Sequence, residues 1–210
     1  MAQEIERDIF GSRMVVFEGA VGDAEPKALQ AHAPQYLISF LSPWIVRKIT
    51  LDRCGYAINF HPGSVEYPGT GCYNFALYEE ARDYGAVCHH MLPKVDTGRV
   101  IREDRFAVHA GESVESLKLR TMNVMIEMYR EVALSIAGGR PLPEAPTHWT
   151  RKPFTFRQME ALKAIDATMP PEEIARRIRA TVYPGYPGPV LHRADGSRLV
   201  FPVPLRSAFA

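Results

Sequence analysis

The sequence predicts an α/β fold: a mostly parallel twisted sheet flanked by helices, with a small C-terminal helix and β-hairpin appended. Three observations support this. Short apolar runs without alternation recur, as in strands covered on both faces. Segments of helical periodicity lie between them. An Asp-Gly turn, Asp195-Gly196, sits between two short apolar runs near the end.

Taken in order, Arg13–Phe17 reads as a short buried strand and Glu25–Ala33 as a helix or helical turn opened by Pro26. Gln35–Phe40 is a second strand. Pro43 suits the start of a helix carrying Trp44, Ile45 and Ile49. Ala57–His61 is a third strand, ended by Pro62. Tyr73–Arg82 reads as a helix, Gly85–Met91 as a fourth strand, and Arg99–Asp104 as a fifth. Glu112-Ser113 caps a long amphipathic helix reaching Ile136, with Met122, Met125 and Met128 as core filling. Gly138-Gly139 ends it. Prolines 141, 143 and 146 mark a linker-like passage, so residues 1–140 are expected to form the main domain and 141–210 a small appendage. That appendage holds a helix at Pro171–Ala180 and a hairpin at Val190–Phe201.

The chain has 210 residues, 46% hydrophobic and 23% charged, enough for one sizeable core. Its longest apolar runs are far too short for a membrane span. The N-terminus is polar and mixed in charge, so a cytoplasmic protein with no membrane partner is expected. Three cysteines without paired spacing fit a reducing compartment. Residues 151–210 carry ten Lys/Arg against five Asp/Glu, a net +5, while the remainder carries fifteen against nineteen, a net −4. This bias is too weak to indicate nucleic acid.

The chemistry concentrates at Asn59-Phe60-His61-Pro62-Gly63 and, 35 residues after His61, at Asp96. Asn59 and His61 are two apart on a strand and so share a face. Pro62-Gly63 ends that strand at the sheet edge where open α/β folds bind ligands. An amide can donate to a developing oxyanion, an imidazole can move a proton near neutral pH, and a carboxylate can orient it. Cys88, His89 and His90 invite a metal reading, but adjacent strand residues face opposite sides, so no metal is expected. Trp149, Phe154 and Phe156 suit packing or the stacking of a base.

Read whole, the ordered series resembles the folate-dependent formyltransferase family. The matching text is Ile58-Asn59-Phe60-His61-Pro62-Gly63, then Tyr67-Pro68-Gly69, Gly85-Ala86-Val87-Cys88-His89, and Val95-Asp96-Thr97-Gly98-Arg99-Val100-Ile101. The likeness spans roughly residues 35 to 135. It differs in having only 58 residues before Asn59, which predicts a shortened N-terminal strand–helix unit, and in Pro68 where Arg is usual. Ala86-Val87 stands where Val-Thr is common.

The resemblance implies Asn59, His61 and Asp96 as catalytic residues and N10-formyltetrahydrofolate as co-substrate. It implies donor contacts, largely through backbone, at Phe40, Leu41, Ser42, Leu92, Pro93 and Val95. It places His89 and Tyr67 beside the acceptor. The segment from Arg176 to Pro189 and the hairpin after it look like the tail of nucleotide-sugar N-formyltransferases, so the implied acceptor is the amine of a nucleotide-linked amino sugar. Alternatives are methionyl-tRNA or an amino-acid-like acceptor, hydrolysis of the donor, and a degenerate folate- or nucleotide-binding protein without turnover. For the tRNA reading, the 60 residues from Arg151 are short for a basic barrel. The terminal hairpin offers an edge for a second subunit in a homodimer.

Overall fold

A computed structural model describes residues 2–166, 168–192 and 195–201. Its elements in chain order are α1 (Ala2–Phe10), β1 (Tyr36–Phe40), α2 (Lys48–Leu51), β2 (Tyr56–His61), α3 (Cys72–Tyr78), β3 (Asp83–His90), β4 (Val100–Ala107), α4 (Val114–Ala137), α5 (Phe156–Lys163), β5 (Ala164–Asp166), α6 (Pro171–Thr181), β6 (Val190–His192) and β7 (Arg198–Val200). Short 3-10 turns cover Gly11–Arg13 and Lys27–Ala31. No described helix is long and apolar enough to cross a membrane.

The chain divides into two compact units. The first comprises residues 1–68, 85–105 and 121–153, the second 69–84, 106–120 and 154–210. A four-stranded sheet runs in the order β1-β2-β3-β4. β1 pairs with β2 in parallel, Ser39 opposite Asn59. β2 pairs with β3 antiparallel, Asn59 opposite His89 and His61 opposite Val87. The α/β class agrees with the sequence, but the sheet is mixed and not mostly parallel. β3 is buried along Tyr84–His89. A strand covered on both faces carries the same apolar run whichever way it points, so its composition did not reveal its direction.

In the first unit, strand alternation sorts residues into two layers. Ile58 and Phe60 of β2, Ala86 and Cys88 of β3, and Ile101 of β4 pack with Met125, Met128, Tyr129 and Val132 of α4. The rings of Phe40, Phe60 and Tyr129 meet at 5.0–5.7 Å. A second cluster joins Val65, Val87 and Val100 to Ala145 and Trp149. Asn59, His61 and His89 alternate with the first set, so they lie on the side that the passage containing Trp149 covers.

Some elements differ from the sequence reading. Met14–Phe17 forms no strand. Val15 and Val16 are exposed, and the segment does not pair with β1, the edge strand of the sheet. The helix expected from Pro43 begins only at Lys48. α3 stops at Tyr78, and the chain turns at Glu80 with φ +55°. α4 follows the expected span closely.

In the second unit, α3 and α6 pack together, tied by Asn74 Nδ2 donating to the Ala180 carbonyl at 2.7 Å and Tyr78 donating to Glu173 at 2.8 Å. α5, absent from the sequence reading, starts with a Thr155–Gln158 capping box. Arg177 caps its far end, donating to the carbonyls of Ala161 and Ala164. β5 pairs in parallel with β6, and β6 antiparallel with β7. The expected hairpin is present with shorter strands; Arg193 and Ala194 lie outside the described residues.

Candidate functional site

β2 carries Asn59 and His61 to its C-terminal end on one face, and β3 presents His89 directly across from Asn59. Asp96 arrives from the loop between β3 and β4 and reaches both imidazoles. Its Oδ2 lies 3.3 Å from His61 Nδ1 and its Oδ1 lies 3.2 Å from His89 Nε2. Asn59 Nδ2 lies 3.2 Å from the same His89 Nε2. The remaining ring nitrogens have partners too: His61 Nε2 is 2.9 Å from the Tyr67 carbonyl, and His89 Nδ1 is 2.8 Å from the His90 carbonyl. His61, His89 and Asp96 are all buried. The four residues that the sequence singled out, from three segments, therefore form one connected cluster.

Its hydrogen-bonding pattern has a chemical consequence. A neutral imidazole has one N–H and one lone pair. If Nε2–H of His61 donates to Tyr67, the lone pair on Nδ1 faces the Asp96 carboxylate. One added proton between Nδ1 and Oδ2 turns that contact into a charge-assisted hydrogen bond. Burial pushes the His61 pKa below its ordinary 6.5; the Asp96 charge and the Tyr67 carbonyl pull it back up, and His89 pushes it down. In that tautomer the pair is a slot that can take one proton and give it back.

Asp96 adopts φ +46°, a left-handed conformation that Asp tolerates better than most residues. Thr97 Oγ1 donates to the Lys94 carbonyl at 2.8 Å and holds the turn. Gly98 follows, so close to β3 that a Cβ there would lie 1.7 Å from the His90 carbonyl oxygen. Backbone strain gathered beside convergent polar groups is a mark of functional sites.

The other candidate residues fall in two places. Phe40, Leu41 and Ser42, with Phe17, Tyr36 and Trp44, help line a cavity of about 670 Å³. Leu41 is left-handed at φ +53° and half exposed. Phe40's ring belongs to the core, and Ser42 Oγ accepts from the Trp44 N–H at 3.2 Å. Leu92, Pro93 and Val95 are exposed on the loop before Asp96 and do not line that cavity. The Tyr67 side chain is buried, with the Arg151 guanidinium 5.5 Å from its ring. Its carbonyl touches the imidazole cluster.

Two further residues contribute, one of them beyond the sequence reading. Trp149, expected to pack or to stack a base, stands edge-on to both imidazoles, 5.7 Å from His61 and 5.1 Å from His89. Glu103 accepts from the Val65 N–H at 3.1 Å and the Thr147 hydroxyl at 3.4 Å, joining the two segments that flank the cluster. Nothing local in the sequence distinguishes Glu103 from any other strand carboxylate. Among the described residues no three His, Cys, Asp or Glu side chains are placed to hold a metal ion. Cys88 lies in the core layer, where burial raises its thiol pKa.

Fold and site together define an α/β protein with an amide, two imidazoles and a carboxylate converging at a strand end. Solved formyltransferases share this fold. A sugar N-formyltransferase from a Shewanella species matches with a TM-score of 0.71, covering 83% of this chain and 70% of its own, at 13% identity. A 4-N formyltransferase from Francisella tularensis matches at 0.68, covering 80% and 69%, with 17% identity. An N-formyltransferase from Helicobacter canadensis, crystallised with folinic acid and dTDP-3-aminofucose, matches at 0.57, covering 70% and 54%, with 15% identity. No protein-family model matches the chain. The chain has the fold of the sugar N-formyltransferases.

Proposed function

We propose that this protein transfers a formyl group from N10-formyltetrahydrofolate to a primary amine on a small substrate, a nucleotide-linked amino sugar being the acceptor favoured. The observation that carries this reading is Asp96 bridging His61 and His89 beside Asn59. It stands in a fold shared with enzymes of that chemistry, one of them holding folinic acid and dTDP-3-aminofucose.

The donor fits the residues present. The Phe40–Ser42 strand end offers backbone groups beside a cavity within the size range of ligand pockets. The amine attacks the formyl carbon. Asn59 Nδ2–H donates to the oxyanion of the tetrahedral intermediate. The proton leaving the amine enters the His61–Asp96 pair, whose 3.3 Å gap closes on it. The C–N10 bond then breaks and the proton passes to N10, so the products are the formamide and tetrahydrofolate. Asp96 stands against both rings, and His89, its Nδ1–H donating to the His90 carbonyl, accepts from the Asn59 amide at Nε2 and orients it.

The test is tetrahydrofolate release, followed by absorbance, with a panel of nucleotide-linked 3- and 4-amino sugars. Amine-dependent release with a formamide product supports the proposal. Release without amine assigns hydrolysis instead. Folate binding with no release under any acceptor assigns a binding protein.

Because burial holds the His61 pKa below 6.5, its neutral form persists to the acid side of that value. The rate falls only as pH drops through the lowered pKa, so the acid limb of kcat/KM is expected below pH 6.5. Asp96→Asn removes an influence that raises the pKa and should carry any residual limb to still lower pH. A wild-type limb above pH 6.5 contradicts this assignment.

A further inference from the structure

We propose that Trp149 is a positioning residue for this chemistry, acting through the Gly98 carbonyl to hold Asp96 between the two imidazoles. This rests on the reading that the His61–Asp96 pair carries the transferred proton.

The geometry is specific. Trp149 Nε1–H donates to the Gly98 carbonyl at 2.8 Å. Gly98 is buried, two residues beyond Asp96, on a loop otherwise stitched to β3 where His90 N–H donates to the Arg99 carbonyl at 2.9 Å. The Trp149 ring is itself fixed. It packs against Val65, Val87 and Val100, and Thr150 N–H donates to the Val65 carbonyl at 3.2 Å. The ring plane stands at 71° to His61 and 86° to His89. One side chain thus covers both imidazoles and clasps the loop that brings the carboxylate between them. Phe can supply the cover, but only an indole supplies an N–H at that ring edge. Losing the donor leaves a buried carbonyl unpaired and frees a loop whose Asp96 already sits in a strained conformation.

Among the described residues, the titratable groups facing His61 are Asp96 from the loop and His89 from β3, while Tyr67 presents its carbonyl. Asp96 raises the His61 pKa, so a loosened Asp96 lowers it further. Trp149→Phe retains the apolar cover and isolates the lost donor.

The experiment combines two measurements. The first is an NMR titration of the His61 ring in the wild-type protein and Trp149→Phe, without substrate. The second is kinetics of Trp149→Phe, Asp96→Asn and the double variant. Trp149→Phe is expected to move the His61 midpoint to lower pH and to reduce kcat about tenfold, with KM changed less than about twofold. In the Asp96→Asn background it should cost nothing further, because its effect passes through the carboxylate. An unchanged His61 midpoint, or a double variant about tenfold below Asp96→Asn, overturns the proposal. Trp149→Tyr is the second variant, should Trp149→Phe not fold. The two readings separate cleanly. A shifted midpoint with no formyl transfer by the wild-type protein retains the role of Trp149 and removes the proposed reaction. Transfer with an unshifted midpoint does the reverse.

Discussion

Replacing His61 by Asn is expected to lower turnover by at least about 10²-fold, the lower bound for a positioned proton carrier. His61 has its ring between two fixed oxygen acceptors, the Asp96 carboxylate and the Tyr67 carbonyl. Asn keeps a donor for one of them and adds no charge to a buried site, so the fold should survive. It cannot take up a proton near neutral pH. The variant separates shape from proton transfer, and it should bind the folate donor with near wild-type affinity by calorimetry. Wild-type turnover in a folded His61→Asn protein would remove this residue from the mechanism. A loss of donor binding equal to the loss in turnover would move its role from chemistry to binding.

Gly98→Ala is expected to cost about 10²-fold in kcat, the scale of an ångström-level displacement of reacting groups. The reason is one contact. A Cβ at position 98 would lie 1.7 Å from the His90 carbonyl oxygen, a distance no carbon can keep. That oxygen is also the partner of His89 Nδ1 at 2.8 Å. Either β3 yields and His89 loses its anchor, or the loop yields and Asp96 leaves the imidazoles. Both outcomes open the cluster from a residue that has no side chain. Thermal unfolding read with kinetics distinguishes the effect from general destabilisation. Turnover should stay low at temperatures far below the unfolding midpoint. Wild-type kcat in Gly98→Ala would show that Asp96 need not occupy its place in this structure.

The site was partly legible in the chain. Asn59 and His61 were placed together because a strand has a period of two, a rule that holds whatever surrounds it. β1, β2, β3 and α4 were likewise visible, since each writes its burial into a local pattern. Met125 and Met128 read as core filling, and they are buried against β2 and β3. Arg13–Phe17 misled for the same reason: its apolar run reads like a buried strand, yet it does not pair with the free edge of β1, and Val15 and Val16 stay exposed.

The contacts that complete the site have no local signature. Asp96 is 35 residues from His61, and Asp-Thr-Gly alone is ordinary turn text. Its contact with both imidazoles depends on the β2–β3 register that sets His89 opposite Asn59. Trp149 lies 88 residues from His61 in a proline-rich passage, and its part follows from how that passage is laid over Val65, Val87 and Val100. Residue types and periodicities determined which groups were available and which face of each strand they occupied. Tertiary structure decided which of them touch, because strand direction, register and loop path arise from long-range packing and backbone pairing that no short window of sequence encodes.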